Sequence, residues 1–403
     1  MRPLDALAEV CGDVRPGAPE EGVLGVVPGL VAAPATAAEA AGVMRVAAEH
    51  GLAVVPRGAE TRLDWGTPPD RCDLLVDTHR LARIVEHASG DLVVTAEAGL
   101  ALDELAAALA ARGQRLALDR PLPGSTVGGT IAAAAAGPLR LLYGSPRDLV
   151  IGLTVVRADG EVARSGGKVV KNVAGYDLGR LFCGSSGTLG LIVEATFRLH
   201  PVPAAHAYVT CPVTGAAQAH EAVQSLLHSP IAPSAIEVLA PTPPSCTVGV
   251  LLEGVPEGVT ARTAQATALL GPDAQVCEEP PEGWGLYPDG TTLLDVTAPP
   301  TSLTHLLTEI GADALTATWS AIGRGYVGLP AETAPDKAAA IIAGLREGLA
   351  RHRGSAVVCY APADVRAAID FWGPVPAAKL MRQVKDQFDP GHRLSPGRFV
   401  GGI

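Results

Sequence analysis

Between residues 24 and 200, short apolar runs rich in Val, Ile and Leu alternate with Ala-rich stretches of helical period. Leu52–Val55 predicts a buried strand ending at Pro56, and Leu74–Val76 and Leu92–Thr95 predict two more. Thr36 and Glu39 are spaced as a capping box at the start of a helix that Gly51 stops. Leu102, Leu105 and Leu109 share one face of a second helix, over residues 102–112, with Gly113 as its stop signal. Leu149–Val156, the turn Asp159-Gly160 and Val162-Ala163 predict a hairpin. Leu189–Leu199 predicts a long strand closed by His200-Pro201.

The Pro-rich stretch Pro201–Pro203 marks a domain join. From about residue 205 to 365 strands and helices alternate, with helices at 216–227, 261–270 and 336–351, which suggests a separate α+β domain. A last helix, 377–388, runs into the stop Asp389-Pro390-Gly391. No internal repeat is apparent. At 403 residues the chain has room for two or three domains of roughly 100–200 residues each.

A formal charge of -11 argues against nucleic acid, because phosphate-backbone binding needs a basic face. The seven cysteines (Cys11, Cys72, Cys183, Cys211, Cys246, Cys277, Cys359) include no CxxC pair. Their spacing fits neither a zinc site nor an iron–sulfur cluster, and their odd number argues against a disulfide framework. Acidic residues stand near the N-terminus where a secretory leader needs a basic region, and no apolar run reaches the roughly 18 residues of a membrane span. The expectation is a reduced, cytoplasmic protein with no span of its own.

Three stretches carry candidate chemistry. Pro56–Arg62 (PRGAETR) follows a buried strand; a Gly-containing loop there can aim successive backbone N–H groups at one anion, although an ordinary strand-to-loop turn reads the same way. Pro123–Thr130 (PGSTVGGT) places two adjacent glycines between hydroxyls, so backbone can approach a ligand where a Cβ would collide. It reads equally as a helix start capped by Ser125 or Thr126. Gly166–Leu191 gathers Lys168, Lys171, Asn172, Tyr176 and a dense set of glycines, which is unusual for a loop without a ligand.

In this order and spacing, the PRG loop, the PxxTVGG stretch, KNVAGYDL and GSSGTLG resemble the FAD-binding domain of the p-cresol methylhydroxylase/vanillyl-alcohol-oxidase family. Leu63–Gly66 (LDWG) and Tyr143–Asp148 (YGSPRD) are similar to the FAD-binding subunits of bacterial glycolate oxidase within it. Phe388–Gly391 and Ser395–Arg398 resemble the segment with which that family returns its tail to the flavin. The resemblance implies an α+β chain of three parts. A two-part FAD-binding domain over 1–203 is followed by a smaller, ferredoxin-like α+β cap over 204–365, and a C-terminal helix and tail over 366–403 return to the flavin.

It also implies residue roles. Pro56, Arg57, Gly58, Ala59, Glu60 and Thr61 would bind the pyrophosphate together with Pro123, Gly124, Ser125, Thr126, Val127, Gly128, Gly129 and Thr130. Arg147 and Asp148 would lie on a flavin-contacting turn, and Gly190 and Ile192 would offer backbone to the adenine or the pyrimidine edge. Lys171, Tyr176 and Arg398 would face the flavin, where a cation can stabilise the reduced ring or hold a substrate carboxylate.

Three departures refine these expectations. Ala59 and Glu60 stand where the family usually places glycines; if position 60 needs positive φ, Glu costs about 1–2 kcal/mol there. Thr61 replaces the histidine of covalently flavinylated relatives, so FAD is expected to be noncovalent. Ile322–Val327 (IGRGYV) has no histidine where metal-binding 2-hydroxy-acid dehydrogenases of the family carry two, so no metal is expected. The implied activity is oxidation of a small 2-hydroxy acid such as glycolate, with a larger FAD subunit and an iron–sulfur subunit as partners. The alternative is a degenerate subunit serving assembly or electron relay.

Overall fold

The computed structural model describes residues 1–167, 177–243, 245–313 and 315–403. Leu30–Ala32, Leu74–Asp77 and Val54–Arg57 pair in parallel with Leu74–Asp77 in the middle, and Val14–Pro16 is added antiparallel at the edge. Strands covered on both faces need continuous rather than alternating apolar runs, and Val54, Val55, Leu74, Leu75 and Val76 are all buried. Helix Ala37–Glu49 makes the crossover, with the Thr36 hydroxyl accepting from the Glu39 N–H at 3.1 Å. The Glu39 carboxylate accepts from the Ala35 N–H at 3.0 Å, one residue earlier than an ideal capping box.

A second, antiparallel sheet of five strands follows, in the spatial order Ile84–Ala88, Val93–Glu97, Leu191–Arg198, Val150–Val156, Val162–Gly166. Its Val150–Val156 and Val162–Gly166 strands form the expected hairpin.

The next domain is one antiparallel sheet of eight strands. Its first half runs strand Ala205–Thr214, helix Ala216–Leu227, strands Ala235–Thr242 and Ser245–Gly254, helix Pro256–Leu270 and strand Gln275–Cys277. Its second half repeats that plan with strand Thr292–Thr297, helix Leu303–Ala312, strands Thr316–Ser320 and Arg324–Leu329, helix Pro335–Arg351 and strand Ser355–Tyr360. Each half is a ferredoxin-like βαββαβ unit. The two halves join through their second strands, where Val238 lies opposite Trp319. The cap is therefore a structural duplication that the sequence conceals, because what repeats is the apolar patterning of strands and helices and not the residues themselves. One buried cluster, with Val238, Val248, Leu294, Trp319 and Ile342 among its members, runs through both halves.

The tail returns to the first domain. Helix Ala378–Phe388 buries Lys385, and beyond it Leu394 makes a parallel bridge to Val54. The Val54 N–H donates to the Arg393 carbonyl, and the Ser395 N–H to the Val54 carbonyl, each at 2.8 Å. Residues 393–395 thus extend the parallel sheet at the strand that leads into the PRG loop.

Cap and first domain are tied by charge and backbone. Arg115 donates to both Glu253 oxygens, at 2.6 and 2.8 Å, and Tyr143 donates to Glu253 at 3.0 Å. The Gly66 N–H donates to the Cys359 carbonyl at 2.9 Å.

Candidate functional site

These connections enclose a cavity of about 290 Å³. Its wall on the first domain is the strand end and loop from Val55 to Gly66, the glycines of the 127–132 helix, and the turn from Gly184 to Ile192. Cap strands contribute Asp295, Arg324 and Val357–Cys359, and the tail region contributes Trp372, Ser395, Arg398 and Phe399.

The PRG loop is built to present backbone. Arg57 does not supply its charge to the cavity, because its side chain is 8% exposed and bound to Glu21 at 3.0 Å, to Asp77 and to Glu60 at 3.0 Å. Burial works against that guanidinium, yet Asp77 and Glu21 hold its pKa above the ordinary arginine value. The Arg57 carbonyl is turned away to accept from both the N–H and the hydroxyl of Thr78, each at 2.9 Å. Among the described residues no acceptor meets the N–H groups of Gly58, Ala59, Glu60, Thr61 or Arg62, all of which line the cavity. Successive free N–H groups around a positive-φ turn form an anion-binding concavity, and Glu60 supplies that turn with φ of 62°. Its carboxylate is 55% exposed and directed to Arg57.

The glycine-rich stretch spends several of its N–H groups inside the chain. The Gly124 N–H donates to Asp103 at 2.9 Å, Val127 to the Leu100 carbonyl at 2.9 Å, and Gly128 to the Ala98 carbonyl at 2.7 Å. Thr126 is the helix cap, its hydroxyl accepting from the Gly129 N–H at 3.2 Å. Those donors are consumed inside the chain, so Gly128 and Gly129 offer the cavity a surface without side chains and not a set of N–H groups. Close approach is the reason for glycine: a Cβ on Gly58 would stand 2.6 Å from the Thr126 hydroxyl, and one on Gly128 would stand 2.8 Å from the Ala98 Cβ.

Of the residues singled out in the sequence, the cavity gathers Pro56, Arg57, Gly58, Ala59, Glu60, Thr61, Thr126, Gly128, Gly129, Gly190, Ile192 and Arg398. Pro123, Gly124, Ser125, Val127 and Thr130 are not among the residues that line it. Ser125 supports the loop, accepting from Arg62 Nη1 at 3.1 Å and lying 3.2 Å from the Thr61 hydroxyl. Arg147 and Asp148 do not reach the cavity: both are exposed on the short helix Pro146–Leu149, where Asp148 accepts from the Ser145 N–H and hydroxyl. Lys171 and Tyr176 lie outside the described residues. Cys183 is also absent from the wall, and burial pushes its thiol up to about 12.

Three guanidinium groups on the wall set its electrostatics. Arg398 is 6% exposed; one Nη donates to the Leu63 and Trp65 carbonyls at 2.8 and 2.7 Å, while Nη1 is buried with no partner. Burial pulls its pKa down to about 10, which leaves it charged at neutral pH. Arg62 lies 5.3 Å from the Trp65 ring centroid and donates to the Tyr287 hydroxyl of the cap at 3.1 Å, with its Nε buried and unpartnered. Arg324 grips Asp295, with Nε at 3.0 and 3.1 Å from the two carboxylate oxygens and Nη2 closer still. Sequence reasoning quoted Arg62 within PRGAETR and Arg324 within IGRGYV without giving either a role, and it missed Asp295, which sits on a cap strand that no local motif marks.

A cradle of free N–H groups, walled by glycine and flanked by buried unpaired guanidinium nitrogens, suits a ligand with a diphosphate and a ring system that takes on negative charge. Residues 28–166 match the family described as FAD binding domain, so the chain carries an FAD-binding domain and FAD is its cofactor. It is 35% identical over 214 residues to glycolate oxidase subunit GlcD of Bacillus subtilis, covering 53% of this chain and 46% of that protein. To glycolate oxidase subunit GlcE of Escherichia coli it is 40% identical over 154 residues, covering 38% of this chain and 43% of that protein. D-2-Hydroxyglutarate dehydrogenase of Xanthomonas citri pv. viticola is 36% identical over 174 residues, covering 43% of this chain and 37% of that protein. The matched stretch thus spans about half the length of these curated relatives or less. Among solved structures, alkyldihydroxyacetonephosphate synthase superposes with a TM-score of 0.68 at 17% identity, covering 92% of this chain and 76% of that one, which shows a shared fold.

Proposed function

We propose that the chain is an FAD-dependent oxidoreductase acting on a small 2-hydroxy acid such as glycolate. It works as the FAD-binding subunit of a cytoplasmic complex with a larger FAD subunit and an iron–sulfur subunit. The observation that carries the reading is the cavity itself, which joins the free N–H groups of residues 58–62 to the buried, unpartnered Arg398 Nη1. The names of the GlcD and GlcE relatives support the substrate class and the partners. No helix among the described residues is long and apolar enough to cross a membrane, so any membrane association runs through partners in this reading.

FAD, when bound, supplies a two-electron acceptor. Residues 58–62 hold its diphosphate through backbone N–H, and Gly128 and Gly129 allow close approach. Arg398 would bring its positive charge to the flavin site, where it could stabilise the reduced ring, with Lys171 and Tyr176 as further candidates for that role. Thr61 offers no nitrogen nucleophile and Cys183 stays a packed thiol, so the cofactor is noncovalent. An absorbance spectrum of the purified chain with acid release of the chromophore tests occupancy and attachment. Anaerobic glycolate then tests catalysis by bleaching the flavin.

A second reading, in which the chain holds FAD for assembly or electron relay while a partner does the chemistry, is favoured by one observation. No histidine is among the residues lining the cavity. A flavin that stays oxidised under glycolate, in the chain alone and in the complex, selects it.

A further inference from the structure

Oxidising a 2-hydroxy acid requires a group to take the hydroxyl proton as hydride leaves the carbon, and a cation to fix the neighbouring carboxylate. Of the carboxylates lining the cavity among the described residues, Glu60 is committed to Arg57 on the first-domain loop, which leaves Asp295. Cys359 is the other acidic group nearby, and burial pushes its thiol well above the ordinary range.

Asp295 and Arg324 belong to adjacent strands in register, where Asp295 lies opposite Tyr326 and Thr297 opposite Arg324. Both side chains are 20% exposed, and both line the cavity. Arg324 engages Asp295 through Nε and Nη2, and among the described residues its Nη1 has no hydrogen-bond partner. The cap therefore holds an acceptor beside a cation, fixed on rigid strands facing the flavin-binding domain. A 2-hydroxy acid is the complement of that pair, a hydroxyl donor one carbon away from a carboxylate.

We propose that Asp295 and Arg324 form the substrate-recognition pair, Arg324 binding the carboxylate and Asp295 taking the hydroxyl proton; this rests on the oxidoreductase reading above. In the resting state the two groups satisfy each other. An arriving carboxylate shares the guanidinium, which loosens its hold on Asp295 and frees that carboxylate to accept the hydroxyl's hydrogen bond. The hydroxyl proton goes to Asp295, the hydride leaves with its electron pair for the bound flavin, and the C–O bond becomes the carbonyl of a 2-keto acid. Atoms and electrons balance with no further reagent.

The test uses the full chain loaded with FAD. Oxalate, which offers carboxylates but no oxidisable C–H, is titrated against the flavin absorbance, and glycolate is used for anaerobic bleaching. Asp295→Asn is expected to slow bleaching about 10²–10⁴-fold, with oxalate and FAD binding retained. Arg324→Met is expected to weaken oxalate about tenfold or more, with partial recovery in Arg324→Lys and FAD binding unchanged. Bleaching by Asp295→Asn at the parent rate, or oxalate binding to Arg324→Met as tight as to the parent, overturns the proposal. If glycolate fails to bleach the parent flavin both in the chain alone and in the complex, the oxidoreductase reading falls and takes the proton-transfer half with it. The oxalate titration still decides whether the pair is an anion site.

Discussion

Lys385 and Asp389 form an ion pair at 2.8 Å whose side chains are 1% and 0% exposed. The Lys385 ammonium also donates to the Thr188 and Leu394 carbonyls, each at 2.8 Å, and Asp389 accepts from the Leu394 N–H at 2.7 Å. One buried cation thus ties the last helix, the 185–191 turn and the returning tail together, and both the turn and the tail reach the cavity. Burial lowers the Lys385 pKa against the pull of Asp389. Lys385→Met leaves Asp389 uncompensated and should destabilise the protein by about 3–5 kcal/mol. It should also weaken FAD binding, because the tail carries Ser395 and Arg398. Denaturant unfolding and flavin titration measure the two effects.

A second prediction concerns pH. Glu237 of the cap is buried with the Gly285 N–H donating to it at 2.8 Å, and burial pushes its pKa up to about 8. Asp119 of the first domain accepts from the Gly137 and Leu139 N–H groups, lies beside Gly285, and is pushed up to about 7, again mainly by lost hydration. Each folded-state pKa lies above its unfolded value, so the folded chain keeps protons that the unfolded chain releases. Stability from this source is therefore full below about pH 4 and falls as pH rises to about 8, with a slope of at most about 1.4 kcal/mol per pH unit for each group. Glu237→Gln and Asp119→Asn should flatten that dependence in a series of melts. An unchanged slope in the double variant would show that the carboxyls titrate normally.

Glu60 offers a gain. Its φ of 62° is the left-handed conformation that glycine adopts without cost, and its carboxylate is more than half exposed where it meets Arg57. Glu60→Gly should stabilise the chain by about 1 kcal/mol, since the buried Arg57 keeps Asp77 and Glu21 as partners and the loss of a half-exposed third carboxylate is worth less than the relieved strain. FAD affinity should hold or improve, as a titration of the apoprotein would register.

The side of the cavity formed by the first domain was legible in the sequence for a physical reason. A backbone cradle needs glycines and small residues in consecutive positions, so Pro56–Thr61 and Gly128-Gly129 stand out as local motifs. What their N–H groups do was not legible. Only tertiary packing reveals that Asp103, Leu100 and Ala98 consume the donors of Gly124, Val127 and Gly128. The cap side left no mark, because Asp295, Arg324 and Cys359 come from three separate strands and meet only in the folded chain. The duplication of the cap is hidden for a related reason: a βαββαβ unit asks for a period of apolar positions, which many residues satisfy.

Gly58 tests the cradle itself. A Cβ there would meet the Thr126 hydroxyl at 2.6 Å, the same hydroxyl that caps the 127–132 helix. Gly58→Ala must push the PRG loop outward or break the cap, at a cost of about 1–3 kcal/mol. Either movement misplaces the free N–H groups, so FAD affinity should fall more than tenfold while the cap domain stays folded. Flavin titration beside far-ultraviolet circular dichroism separates the two.

Arg398 gives the sharpest case, because its two roles predict different outcomes for two substitutions. Its paired nitrogen fixes the carbonyls of Leu63 and Trp65, and its Nη1 is a buried, unpaired donor on a residue that lines the cavity. Arg398→Lys keeps the cation and loses the two-carbonyl grip, whereas Arg398→Met loses both. If the charge acts on the flavin, the reduction potential should drop in Met and be largely kept in Lys. If the guanidinium only braces the loop, both variants should weaken FAD binding equally and leave the potential of the bound fraction unchanged. The electrostatic outcome is expected, since a structural brace gives no reason to keep a donor nitrogen buried and unbonded at the wall of a ligand site. A potentiometric titration of the two holoproteins decides it.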